Sequence, residues 1–146
     1  MQYISVNIGS YSVKFLNFSL DKKKVVYQSS KEVVMDSDEY NVMEEDVVTD
    51  LQLNIISQYL DDIDGDYRLV LNVPSEIIAE RFLNLPIKNK KKASLMVPFQ
   101  LEEDIPYSIS DCHLASSLTP TKDGMKALVN LTKEEDFEAY FNKIKQ

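Results

Sequence analysis

Within its first 35 residues the chain passes through three β-type runs separated only by short turns, and no other feature restricts its fold so strongly. Residues 2–8 (QYISVNI) alternate, with Ile4, Val6 and Ile8 on one face, and Gly9-Ser10 breaks the run. Residues 12–20 (SVKFLNFSL) form a second strand, Lys22-Lys23-Lys24 a solvated turn, and residues 25–35 a third strand carrying Val25, Val26, Tyr27, Val33, Val34 and Met35. Turns this short join antiparallel neighbours, so the N-terminal part reads as a β-meander.

Residues 36–46 are acidic and unpatterned, a loop leading into a helix whose first turn favours acids. Val47, Val48, Leu51, Ile55, Tyr59 and Leu60 recur at helical spacing and predict that helix over 45–61. Residues 67–73 (YRLVLNV) are nearly continuous in apolar character, as a buried central strand is. The style then changes at Val73-Pro74-Ser75. A strand over 77–85 stops at Pro86, and a basic turn spans Lys88 to Lys92. A helix over 91–104 carries Ala93, Met96, Val97 and Leu101, and Pro98 either kinks it or marks its start. Strands over 111–119 and 125–131 flank Lys122-Asp123-Gly124, a hairpin signal. The last helix is expected from Thr132, where Thr132-Lys133-Glu134-Glu135 fits a capping box and Phe137, Tyr140, Phe141 and Ile144 line one face. It reaches Gln146 with no capping glycine, so the chain reads as a piece of a longer protein.

Composition narrows the function. With 16 Lys plus Arg against 24 Asp plus Glu, the 146 residues carry a net charge of −8, which opposes binding of nucleic-acid phosphates. No apolar run approaches the ~20 residues that span a bilayer, no signal peptide is visible, and the lone Cys112 excludes an internal disulfide framework. These features predict a cytosolic address.

Most candidate chemistry fails on spacing. Placing Gly65 at the sixth position of a calcium loop puts Leu60 and Leu71 where carboxylates are required. Cys112-His113 offers two ligands where zinc needs three or four, so no metal site is expected. Strand neighbours point to opposite faces, so this pair is also a poor nucleophile and base. Asn17-Phe18-Ser19 and Asn130-Leu131-Thr132 match glycosylation sequons, which a cytosolic chain never uses. There is no recognisable catalytic frame. The remaining candidate is the turn Asn7-Ile8-Gly9-Ser10-Tyr11-Ser12, whose amides and hydroxyls could face a phosphate. The chain has only 3 glycines, however, where phosphate-cradling enzymes use several in tight loops.

The run IGSYSVKFLNFS resembles the phosphate-1 turn of the actin-like ATPase superfamily, with Gly9, Ser10, Ser12 and Lys14 matching. The family's leading Asp, which helps place Mg²⁺ and nucleotide, falls on Asn7, which has no charge to hold the metal. The stretch from Leu85-Pro86 through PFQLEEDIPYSISDCHL is similar to the type IV pilus assembly protein PilM and to the cytoplasmic domain of the type II secretion protein GspL. The Ile105-Pro106-Tyr107 run leans toward the pilus protein. Pro98-Phe99, Leu101-Glu102-Glu103 and His113 lean toward the secretion protein.

The resemblance implies an α/β (α+β) chain of the actin-like, RNase H-like kind. Residues 1–73 would be the first part of subdomain 1A with a mixed sheet, and 74–146 an inserted small α/β module, 1C. The second phosphate loop and adenosine site of the family lie beyond Gln146. The resemblance therefore implies a non-enzymatic cytoplasmic scaffold, peripheral to the inner membrane. It would bind an inner-membrane pilus or secretion protein and a motor ATPase. Gly9, Ser10 and Ser12 would be a degenerate nucleotide turn, with no cofactor held here. The alternative is an active ATP- and Mg²⁺-binding protein seen in part. Phe99, Leu101, Ile105 and Tyr107 are candidate partner anchors with Glu102, Glu103 and Asp104 as their charged rim, and the alternative is that the apolar four are core of the module, a reading that suits Leu101 and Phe99 better than the anchor one. Open sheet edges in such a piece invite self-association.

Overall fold

The structure, a computed structural model, describes residues 1–35 and 48–145. The chain divides into two compact units, Met1–Pro74 and Ser75–Gln146.

The first unit is a four-stranded mixed sheet. Its strands are β1 (Gln2–Ile8), β2 (Ser12–Asp21), β3 (Lys24–Val34) and β4 (Tyr67–Leu71), in the order β3-β2-β1-β4. β1–β2 and β2–β3 are antiparallel, as the meander requires, and β4 runs parallel to β1. The register sets Val6 opposite Phe15 and Ile8 opposite Val13, so the alternation of both strands builds one apolar face. Ile4, Val6, Ile8, Val13 and Phe15 are all buried there, each contributing about 1.5–3 kcal/mol on leaving water. Helix α1 (Asp50–Asp61) serves this face, with Ile56 buried and the Tyr59 ring stacked on Phe15 at 3.9 Å between centroids.

Two expectations are corrected here. The helix expected from residue 45 starts at Asp50. Val48 and Thr49 precede it in non-helical conformation, while 45–47, like the whole acidic loop 36–46, lie outside the described residues. Thr49 caps it: its hydroxyl accepts from the Gln52 amide at 3.2 Å, and the Gln52 side-chain oxygen accepts from the Thr49 amide at 2.8 Å. And β4 is not central. It stands at the sheet edge with Leu69 36% and Val70 45% exposed, because among the described residues no strand pairs with its outer side.

The second unit has a three-stranded antiparallel sheet of β5 (Ala79–Leu85), β6 (Cys112–Pro120) and β7 (Met125–Lys133), in the order β5-β7-β6. Helices α2 (Lys90–Glu102) and α3 (Glu134–Ile144) complete it. Leu83, Leu85, Met125, Ala127 and Val129 of the sheet close on Ala93, Val97 and Leu101 of α2. Those three lie on one helical face at spacings of four, which is the pattern that made the helix legible. Pro98 does not mark the start of α2. The helix begins beyond Asn89, whose side-chain oxygen accepts from the Lys92 amide at 3.0 Å, and Pro98 lies inside it. The carbonyl that Pro98 cannot serve is that of the exposed Ser94, where water can replace the missing bond.

The capping box expected at Thr132 is absent. β7 extends through Lys133, pairing Thr132 with His113, and the Thr132 hydroxyl turns to the Lys133 carbonyl at 3.5 Å. α3 therefore starts at Glu134 with no side-chain cap, its first turn supported instead by Glu134, Glu135 and Asp136. Of its apolar face Tyr140 is buried, whereas Phe141 is 39% exposed.

Candidate functional site

The turn between β1 and β2 carries the phosphate-type residues, and its geometry follows from the short connection. The Gly9 amide donates to the Ser12 carbonyl at 3.0 Å. A Cβ on Gly9 would lie 2.9 Å from that same carbonyl oxygen, so the glycine is required by the turn itself. Three side chains from distant elements hold the turn. Gln52, already part of the α1 cap, donates through Nε2 to the Gly9 carbonyl at 2.9 Å. Asn72, just past β4, accepts from the Ile8 amide at 2.7 Å and donates to the Ile8 carbonyl at 3.2 Å. Glu32 of β3 accepts the Ser12 hydroxyl at 2.7 Å and lies 3.7 Å from the Lys14 ammonium.

Glu32 thus gathers two of the groups that the turn could offer to an anion. The hydroxyl of Ser12 is committed to a carboxylate, and the ammonium of Lys14 faces the same carboxylate. Both side chains of the Lys14–Glu32 pair are largely solvent-exposed. Asn7, opposite Lys14 in the register, is exposed, as are Ser10 and Tyr11. Sequence reasoning reached Gly9, Ser10 and Ser12 but missed Gln52, Asn72 and Glu32. The signal for Gln52 was the capping pattern Thr49-x-x-Gln52, hidden by the early helix start.

The candidate anchors in the second unit separate on burial. Leu101 is 0% exposed and Ile105 8%, so both belong to the interior and have no face for a partner, a correction to the anchor reading. Phe99 is 73% exposed on α2. Tyr107 is half-buried, with the Lys133 ammonium 5.2 Å from its ring centre, and Glu102, Glu103 and Asp104 are exposed. Cys112 and His113 diverge as strand neighbours must. The Cys112 thiol faces the Ser108 carbonyl at 3.5 Å, while the His113 ring packs on Phe137 at 4.8 Å. Burial, and then Asp111 beside it, push the Cys112 thiol up, which lowers its thiolate fraction and its reactivity. Among the described residues no group of three or more His, Cys, Asp or Glu could hold a metal ion.

No family model matches the chain, and no curated protein matches it either. Solved structures do. The cytoplasmic domain of EpsL, an inner membrane component of the type II secretion system of Vibrio cholerae, matches 99% of this chain and 52% of its own length at a TM-score of 0.52 and 16% identity. A PilM–PilN type IV pilus biogenesis complex matches over 98% of this chain and 44% of the other at a TM-score of 0.70 and 16% identity. The chain thus spans about half the length of each of these two structures. The mixed sheet, the second α/β unit and these two neighbours together establish that the chain has the α/β fold of the matching parts of the EpsL cytoplasmic domain and of the PilM–PilN complex.

Proposed function

We infer that the chain is an adaptor in the inner-membrane platform of a type IV pilus or type II secretion machine, working by holding other proteins and not by breaking bonds. The observation that carries this reading is the fold likeness to one component of each machine over 98% and 99% of the chain. The pilus neighbour is a complex of PilM with PilN, and an inner-membrane assembly protein is accordingly the first partner proposed here, with the motor ATPase as the second. The proposed location is the cytoplasmic face of the inner membrane, and among the described residues no helix is long and apolar enough to cross a membrane.

The β1–β2 turn favours the adaptor reading over nucleotide binding, since Asn7 supplies no charge for Mg²⁺ and Glu32 holds the Ser12 hydroxyl. The alternative, a nucleotide-hydrolysing actin-like protein, draws on Gly9, Ser10 and Ser12. A pull-down from native membranes with the tagged chain is expected to recover a pilus or secretion component of the inner membrane. Recovery of none removes the adaptor reading. Calorimetry with Mg·ATP is expected to show no micromolar binding, and binding with turnover would establish the alternative.

A further inference from the structure

Strand β6 lies at an edge of its sheet, paired with β7 alone. Its outer main-chain groups have no strand against them among the described residues, and Ala115, Ser116 and Ser117 are too small to cover them. The first half of α2 runs alongside and turns this edge into an open groove of about 600 Å³, lined by Lys90, Lys91, Ser94 and Leu95 on one side and Ser116–Leu118 on the other. Leu95 is 66% exposed there, an apolar side chain with nothing packed over most of its surface.

The charge on this groove runs against local rules. Helix α2 opens with Lys90-Lys91-Lys92 and has no acid in its first turn, so its cations sit at the positive end of the helix dipole. Helix α3 of the same unit opens with Glu134, Glu135 and Asp136, the arrangement that a dipole favours. The lysines also stand out in a chain of net charge −8. A local conflict of this kind marks a place where something other than helix stability is served.

We propose that the groove between α2 and the free edge of β6 binds an extended acidic segment of a partner protein, which adds to the sheet as a strand beside β6. An added strand pairs its main chain with β6 and alternates its side chains, so one face turns toward α2. On that face an acid meets Lys90 and Lys91, and an aliphatic residue covers Leu95 and Leu118. A second copy of this chain fits the site poorly. Its own β6, Cys112–Pro120, contains no acid, and pairing two such edges would bring the lysines of both copies together.

The test is fluorescence anisotropy on the whole chain with two labelled octapeptides that carry Ser at alternate positions, so that one face of the strand holds Glu, Glu, Val and Val in the first (the Val-Glu peptide) and Lys, Lys, Val and Val in the second (the Val-Lys peptide). Non-specific attraction to a chain of charge −8 favours the lysine peptide, so preference for the glutamate peptide reports the groove. Saturable binding of the Val-Glu peptide is expected, at least about tenfold tighter than the Val-Lys peptide and about tenfold weaker in K90E/K91E. Both substitutions lie on exposed positions in a helical first turn, where acids favour the helix, so that variant folds. Bound peptide should also slow hydrogen exchange of amides in Leu114–Leu118. No saturable binding, equal binding of both peptides, or indifference to K90E/K91E overturns the proposal. So does a peptide-free dimer in sedimentation with those same amides protected, which would give the edge to a second copy. The proposal stands apart from the adaptor reading: the peptide assay and the membrane pull-down fail independently.

Discussion

The side chain of Asn72 closes both hydrogen-bonding positions of Ile8, accepting from its amide at 2.7 Å and donating to its carbonyl at 3.2 Å. It continues the parallel ladder one step beyond Leu71, the last β4 residue paired with β1, by using a side-chain amide as if it were a peptide unit. Replacing it by Ala leaves the Ile8 carbonyl and amide short of partners in a part-buried place. N72A should therefore cost about 2 kcal/mol, read as a lowered urea midpoint with unchanged slope. N72D keeps the acceptor but turns a carboxylate oxygen toward a carbonyl, and should be no better than Ala.

That contact joins residues 64 apart, and its kind separates what was legible in the sequence from what was not. The strands β1 and β2 were legible because Ile4, Val6, Ile8, Val13 and Phe15 alternate, and alternation is a local property of the chain. The fold class came from a resemblance, carried by the turn IGSYSVKFLNFS and the stretch PFQLEEDIPYSISDCHL, and not from strand alternation. The position of β4 was not legible: a continuous apolar run such as YRLVL signals coverage on both faces, yet its outer edge and Val70 are open among the described residues. Thr132 carried a good capping pattern, but pairing with His113 drew it into β7 first. At the turn, Gly9, Ser10 and Ser12 announce themselves by spacing. Glu32 and Gln52 do not, because their roles arise only when β3 and α1 are folded against that turn. The groove beside β6 was invisible for the same reason, since it exists only between a helix and a strand edge brought together by packing.

Gly124 makes the sharpest steric prediction. A Cβ there would lie 2.0 Å from the Leu85 carbonyl oxygen, an atom of the neighbouring backbone that no rotamer can move. G124A must push the β6–β7 hairpin away from the end of β5, and should cost at least about 2 kcal/mol in thermal or urea unfolding. If the loss is a few tenths of a kcal/mol, the close approach is wrong.

The β2–β3 hairpin points the other way, toward a gain. Asp21 pairs with Lys24, leaving Lys22 and Lys23 as a two-residue loop with φ of 44° and 70°. Both are left-handed, the conformation of a type I′ turn, which favours Asn followed by Gly and is unfavourable for lysine. Replacing Lys22-Lys23 by Asn-Gly should stabilise the chain by about 1 kcal/mol, measured as a raised urea midpoint.

Tyr140 gives the chain a dependence on alkaline pH whose sign can be worked out. It is 5% exposed on α3, and burial pushes its phenol from 10 up to about 12. In the unfolded chain the same phenol ionises near 10, so between pH 10 and about 12 the unfolded state holds fewer protons than the folded one. Stability then falls as pH rises across that window, and the contribution is whole below it. The comparison that isolates this group is wild type against Y140F, which cannot ionise there. Urea midpoints taken at steps across the window should fall more steeply for wild type, and the two curves should run parallel below about pH 9. If they run parallel throughout, Tyr140 ionises as freely folded as unfolded and its burial has no electrostatic consequence.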